Sequence, residues 1–200
     1  MKLPYVVAEI LVHAAEAEAA NLGVPMAVAI VDSEGGLQMF TRMDGALPAS
    51  TELAVSKAYT AASLRMPSEE VGKLAQPGQA LYGIQHTHQG RIVLFGGGLP
   101  LCLDGEVVGA IGVSGGTVKQ DVQVALPAVK TLQEIESWAQ KIDSCSSGQV
   151  GLQSPILGRI REEVQRAFVQ SSPALPRDTV DVLTGAVVLA LAGKFEAAVG

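Results

Sequence analysis

The sequence is poor in cysteine and in aromatic residues. Two cysteines, Cys102 and Cys145, and eight aromatic side chains stand among 200 residues. Two cysteines outside a C-x-x-C spacing build no disulfide framework, which favours a reducing compartment. The longest apolar run, residues 186–192, is far shorter than the ~20 residues that span a bilayer. Glu9 and Glu16 interrupt the apolar N-terminal residues, unlike a signal peptide. We therefore expect a cytoplasmic protein without a membrane span.

Positive charge is also scarce. Fourteen basic residues against twenty acidic ones give a net charge of −6, the wrong sign for a protein that must neutralise phosphates, so no nucleic-acid partner is predicted. A hydrophobic content of 48% with 17% charged residues provides for a sizeable core. Because aromatics are few and glycines number 22, that core is predicted to be built from small side chains whose backbones approach closely.

The periodicity of apolar residues predicts an α+β fold. Helices are expected over residues 3–20, 50–64 and 118–142, with Pro127 beginning the main part of the last one, and a short helix is expected to start at Pro67. Strands are expected at residues 26–31, 37–42, 91–95, 99–103 and 106–114. The Gly35-Gly36 and Asp104-Gly105 pairs between apolar runs predict hairpin turns. The result is a sheet of about five mostly antiparallel strands with flanking helices.

The composition divides the chain into three parts. Residues 1–143 form the predicted domain, residues 144–155 a Ser- and Gly-rich linker, and residues 156–200 a helical tail. Ile156, Ile160, Val164 and Phe168 recur at four-residue intervals, which predicts an amphipathic helix. This helix is similar to encapsulation peptides that dock cargo on the shell of a bacterial microcompartment. The alternative is a helix pair that packs on its own domain or closes an oligomer.

Two groups of residues have metal-ligating chemistry. Glu9, His13 and Glu16 share one face of the first helix, where they either ligate a metal or form a hydrated surface with a local Glu–His attraction. His86 and His88 alternate, so on a strand they would offer two imidazoles to one metal. Since no third ligand lies nearby in sequence, a solvated pair in a loop is favoured for them.

No residue is predicted to be catalytic. Ser114 lacks the spacing of a nucleophile elbow, and Cys102 lies in an apolar strand, where an inert buried thiol is expected. Neither glycine cluster, residues 96–98 or residues 109–116, matches a nucleotide-binding motif. Five residues are candidates for an anion or carboxylate pocket: Arg42, Lys57, Gly96, Gly97 and Gly98. Structural ion pairs are the alternative, and the sequence does not decide between them.

Several blocks, taken in their order and spacing, resemble the heme-binding GlcG/HbpS family. This family includes the C-terminal domain of PduO, the corrinoid adenosyltransferase of propanediol utilisation. The blocks are FTRMDGA at residues 40–46, KAYTA at residues 57–61, RIVLFGGGLPL at residues 91–101 and GEVVGAIGVSGG at residues 105–116. The resemblance covers about residues 3–142.

The resemblance implies a profilin-like fold, assembly into dimers, tetramers or octamers, and heme bound near subunit contacts. In the PduO-type domain a histidine of the first helix is an axial heme ligand, and His13 is the histidine here that corresponds to it. In PduO the ATP and cobalamin site belongs to a separate helical N-terminal domain, and nothing precedes the match here. The resemblance therefore implies no direct adenosyl transfer.

Three hypotheses of function follow. The leading one is a non-enzymatic heme- or tetrapyrrole-binding homo-oligomer. It would be accessory to propanediol, corrinoid or glycolate-type metabolism and carried as cargo inside a bacterial microcompartment. The second is a small-molecule enzyme that uses the region of Arg42, Lys57 and Gly96–Gly98. The third is a structural or targeting module that binds a shell protein through residues 156–200.

Overall fold

The computed structural model describes residues 3–145. In chain order its elements are α1 (Tyr5–Leu22), β1 (Ala27–Asp32), β2 (Leu37–Arg42), α2 (Ser50–Leu64), α3 (Ser68–Leu74), β3 (Gly98–Leu103), β4 (Glu106–Ser114) and α4 (Val118–Cys145). The chain divides into two units after Leu132, within α4, and the packing below is that of the first unit. The predicted tail, and the predicted linker beyond Cys145, lie outside the described residues. Among the described residues, no helix combines the length and the apolar character needed to cross a membrane.

The four strands form one antiparallel sheet in the order β2-β1-β4-β3. Both predicted hairpins are present, because β1 pairs with β2 and β3 pairs with β4. Asp104 and Gly105 have φ of 50° and 76°, the left-handed pair that a tight hairpin turn needs. The α+β prediction is confirmed.

The fifth predicted strand, at residues 91–95, is wrong. Ile92 and Val93 are buried as a strand would be, but their backbone does not join the sheet. The Val93 N–H instead donates to the hydroxyl oxygen of Thr60 on α2, at 2.9 Å. Because this side chain satisfies the backbone donor, the segment is buried against α2 without a ladder.

Helices cover both faces of the sheet. Ala27, Ala29 and Val31 alternate along β1 and pack with alanines of α2. Thr41, which pairs with Val28 and so faces the other way, lies beside Glu16 of α1. The sheet is therefore the middle layer between α1 and α2.

One pair of glycines allows α2 to pack closely against the sheet. Gly98 and Gly112 are partners across β3 and β4, directly under α2. A Cβ at Gly112 would lie 2.0 Å from the Ala54 carbonyl oxygen, and one at Gly98 would lie 2.3 Å from that of Lys57. No larger residue fits at either position without moving the helix. The predicted small-residue core with close backbone approach is thus present at this contact.

Pro127 lies inside α4, so the prediction that it begins the main helix is wrong. A proline cannot donate the helical hydrogen bond to the carbonyl four residues earlier. In α4 this carbonyl belongs to Gln123, an exposed residue. Val124, Ala125, Ala128 and Leu132 flank the proline and are buried. Their burial stabilises a continuous helix in spite of the lost bond.

Candidate functional site

His13 lies in the middle of α1, on a side of the helix that the sheet leaves half-open. Its side chain is 33% exposed, while Val12 and Ala14 on either side are buried. The Nδ1 atom lies 3.1 Å from Oε2 of Glu16, one turn later. With the ring neutral, this contact places the proton on Nδ1 and the lone pair on Nε2. His13 therefore presents Nε2 as an electron-pair donor at a half-exposed surface.

The two partners shift each other's protonation. The hydrogen bond to Glu16 raises the pKa of His13 above its usual value, against the lowering effect of burial, and the charges of Glu16 and Glu9 add to the rise. The same hydrogen bond lowers the pKa of Glu16. Glu16 is therefore ionised at neutral pH, and it both holds the imidazole and favours its protonated form.

Small residues continue the His13 surface along α1. Ala17 and Ala20 follow His13 at i+4 and i+7, so they lie on the same side of the helix, and neither is fully buried. Two methyl groups leave space for a flat molecule to lie close to the helix. The nearby strand β2 is an edge of the sheet, and Leu37 on it is 55% exposed.

The metal interpretation of Glu9, His13 and Glu16 finds no geometric support. Among the side chains that the structure describes, no group of three histidine, cysteine, aspartate or glutamate residues is placed to hold a metal ion. The local Glu–His attraction, which was the alternative, is present at 3.1 Å.

Lys57 forms a buried ion pair. Its Nζ lies 2.5 Å from Oδ2 of Asp121 on α4, with side-chain exposures of 0% and 4%. Nζ also donates to the Val113 carbonyl at 2.9 Å, and Oδ1 of Asp121 accepts the Gly116 N–H at 3.0 Å. Burial lowers the pKa of Lys57, and Asp121 opposes that shift. The pair joins α2, β4 and the start of α4.

The structure brings together only part of the candidate anion pocket. A Cβ at Gly97 would lie 2.8 Å from Nζ of Lys57, so these two residues are neighbours. Arg42, on the edge strand β2, donates to the Ala46 carbonyl at 2.8 Å, whereas Gly98 begins the opposite edge strand β3. The Gly98 N–H donates to Ser68 Oγ at 2.9 Å. Lys57 is thus in a structural ion pair, the alternative that the sequence had left open.

The residues flanking this pair are packed rather than open. A Cβ at Gly96 would meet side-chain atoms of Val122 and Val118 at 2.6 and 3.1 Å. Nζ of Lys57 lies 5.0 Å from the centre of the Phe95 ring, which covers it. The glycine triplet therefore provides room for Lys57, Asp121 and the valines of α4.

His86 and His88 lie in a loop of 3₁₀ turns, Ile84–His86 and His88–Gly90, and both are exposed. Residues 86–88 do not form a strand, so the alternation that would have placed both imidazoles on the same side for one metal is absent. Ser114 is buried at the end of β4, and Cys102 is half-buried beside an irregularity in the β3–β4 pairing.

Sequence reasoning missed Asp121. It lies 64 residues from Lys57, and no local spacing connects the two. The one available signal was an acidic residue in the first turn of α4 that the apolar pattern places on the buried side. Sequence reasoning also missed that Tyr59 and Arg91 stack on each other.

Comparison with known proteins is consistent with this architecture. A protein of 15.0 kDa from the dhaT-dhaS intergenic region of Citrobacter freundii is 46% identical over 125 residues, which is 62% of this chain and 88% of that protein. The corrinoid adenosyltransferase PduO of Salmonella typhimurium is 43% identical over 122 residues, which is 61% of this chain and 36% of that protein.

A solved structure described as a complex of PduOC with heme superposes with a TM-score of 0.63. It is 41% identical, and the match covers 65% of this chain and 94% of that one. The model of the family described as haem degrading protein HbpS-like matches residues 3–130, which contain α1, the whole sheet and the first turns of α4. The chain belongs to the HbpS-like family.

Proposed function

We propose that the protein binds heme, or a closely related iron tetrapyrrole, and that His13 is an axial ligand of the iron. The observation that carries the proposal is the contact of His13 Nδ1 with Glu16 at 3.1 Å, which leaves Nε2 as the electron-pair donor of a side chain that is 33% exposed. An imidazole whose second nitrogen is held by a carboxylate is a common iron- and zinc-binding arrangement. The solved complex of PduOC with heme, at 41% identity, supports heme as the bound group here.

The residues around His13 fit such a group. Ala17 and Ala20 leave space for a macrocycle to approach α1. The hydrogen bond from His13 to Glu16 makes the imidazole more basic, and so a stronger donor to iron. When bound, the heme supplies the iron, while the chain fixes the ligand, its orientation and its basicity.

We further propose that the protein acts as a homo-oligomer, of two, four or eight copies. A heme held by one half-exposed histidine leaves much apolar surface in water, and a second copy is a natural cover for it. Strand β2 supports this, because it lies at the edge of the sheet with Leu37 55% exposed. Native mass measurement tests the proposal, and a monomer at micromolar concentration with heme bound would contradict it.

The setting of this function is a separate proposal. Similarity to 122 residues of PduO supports a role accessory to propanediol or corrinoid metabolism, in the cytoplasm and inside a microcompartment. Residues 156–200 would bind the shell protein in that case. Deletion of residues 155–200 is expected to abolish co-localisation with a shell, whereas retained co-localisation would exclude this role for the tail.

The heme proposal is tested by titrating the full chain with hemin. The wild-type protein is expected to give a saturable red shift of the Soret band, and His13→Ala to lose it because the substitution removes Nε2. His86→Ala is the matched control, since His86 is exposed in a loop and is expected to leave the spectrum unchanged. An unchanged spectrum in His13→Ala would refute the assignment of the ligand.

A further inference from the structure

A half-buried guanidinium lies in the loop between α3 and β3. Cζ of Arg91 is 3.8 Å from the centre of the Tyr59 ring, so the two groups are stacked. With the side chains that the structure describes, Arg91 forms neither an ion pair nor a side-chain hydrogen bond. A guanidinium has five N–H donors in one plane, and a half-buried one normally has an acceptor. As far as the described side chains go, the donors of Arg91 are therefore available to a ligand.

The stack is held in place from both sides. The Tyr59 ring packs against the β1–β2 turn, where a Cβ at Gly35 would lie 2.7 Å from Cδ2 of Tyr59. The Arg91 N–H donates to the His88 carbonyl at 3.2 Å, and two residues later the Val93 N–H donates to Thr60 on α2. Both the ring and the backbone that carries the guanidinium are thus fixed before any ligand arrives.

The backbone beside Arg91 is strained. His88, Gln89 and Gly90 have consecutive φ values of 51°, 58° and 79°, a left-handed conformation that is unfavourable for the two residues that are not glycine. Such strain collects where a site needs a particular chain direction. Here it places the His88 ring 6.1 Å from the Tyr59 ring, centre to centre. The Thr87 hydroxyl donates a hydrogen bond to the Ile84 carbonyl at 2.6 Å, and a second hydrogen bond of 2.8 Å joins its oxygen to His88 Nδ1.

We propose that Arg91, supported by Tyr59 and flanked by His88, is a binding site for the carboxylate of a small organic acid. Because the ring covers one face of the guanidinium, the N–H bonds point outward in the guanidinium plane, which is the geometry of a two-point contact with a carboxylate. On a chain with a net charge of −6, a fixed cation that has no acidic partner among the described side chains is an unusual attachment point for an anion. Tyr59 belongs to α2 and His13 to α1, on opposite faces of the sheet, so this site is independent of heme in the same copy.

The test uses the full chain without heme, titrated with benzoate and, separately, with inorganic phosphate, while the Arg91 Nε–Hε signal is followed by NMR. Benzoate is expected to shift this signal to saturation. Arg91→Lys keeps the charge but loses the two-point contact, so its dissociation constant for benzoate, read from the backbone amide signals of His88 and Gln89, is expected to rise about ten-fold or more. Arg65→Lys, at an exposed arginine that ends α2, is the control and should bind benzoate as the wild type does.

Three results would overturn the proposal. The first is a benzoate shift that does not saturate in the wild type. The second is an equal loss of affinity in Arg91→Lys and Arg65→Lys, which would indicate general charge attraction. The third is saturable binding of phosphate without binding of benzoate, which would show a site for a different anion. Tyr59→Phe, which keeps the ring, should retain benzoate binding, and its far-ultraviolet circular dichroism checks the fold.

Discussion

The buried pair of Lys57 and Asp121 gives the sharpest test of the packing. Asp121→Asn keeps the size of the side chain but removes its charge, and leaves the Lys57 ammonium, 0% exposed, without a counter-charge. Breaking a buried pair by removing one partner costs about 3–5 kcal/mol. For a unit of this size that loss corresponds to a fall of about 10–20 °C in the unfolding temperature. Lys57→Met/Asp121→Leu removes both charges together, and it is expected to be more stable than Asp121→Asn.

Calorimetry and urea unfolding of these variants provide the measurement. The matched control is the exposed pair of Lys73 and Glu70, which has the same ion-pair chemistry at 2.6 Å with exposures of 62% and 50%. Lys73→Met is expected to change the free energy of unfolding by less than about 1 kcal/mol. The ion pair does not join α2 to α4 if Asp121→Asn is no more destabilising than Lys73→Met. The same conclusion follows if the loss of stability in Lys57→Met/Asp121→Leu equals the sum of the losses in the two single variants.

Three further outcomes follow. Heme affinity should fall as the pH drops through the raised pKa of His13, because the protonated ring has no lone pair for iron. Glu16→Gln should move the midpoint of this loss of affinity to lower pH, and an unmoved midpoint would exclude Glu16 as the positioning residue. In urea unfolding, Gly112→Ala should destabilise the fold by more than about 2 kcal/mol, since its Cβ would lie 2.0 Å from a carbonyl oxygen of α2. Gly78→Ala, which has open space around it, should cost about 1 kcal/mol in the same assay. Leu37→Lys should shift native mass spectra toward smaller assemblies, and an unchanged assembly would place the interface elsewhere.

The predictable part of the fold rests on local signals. The Asp104-Gly105 turn and the alternation along β1 depend on residues that are neighbours in sequence, and both appear in the structure. The contact of His13 with Glu16 is also local, three residues apart on a helix. The small-residue composition predicted close backbone approach, although it did not identify Gly98 and Gly112 as the positions where α2 makes it.

The rest depends on contacts that are distant in sequence. Residues 91–95 have the composition of a strand, but Thr60, more than thirty positions earlier, takes the hydrogen bond that a strand would have used. Proline is common in the first turn of a helix, but Pro127 lies inside α4. The burial of Val124 and Ala128 on either side outweighs the lost hydrogen bond. From the sequence, Lys57 could belong to an anion pocket or to a structural ion pair, and only the position of Asp121 in space distinguishes these two interpretations.

The central claim is that Nε2 of His13 ligates heme iron, and rescue by free imidazole tests it most directly. His13→Gly removes the ring from the half-exposed surface of α1 and leaves a gap of imidazole size. Titrated with hemin alone, this variant should lack the wild-type Soret spectrum, and added imidazole should restore it. A wild-type spectrum without imidazole, or no recovery with it in a variant whose circular dichroism is unchanged, would contradict the account.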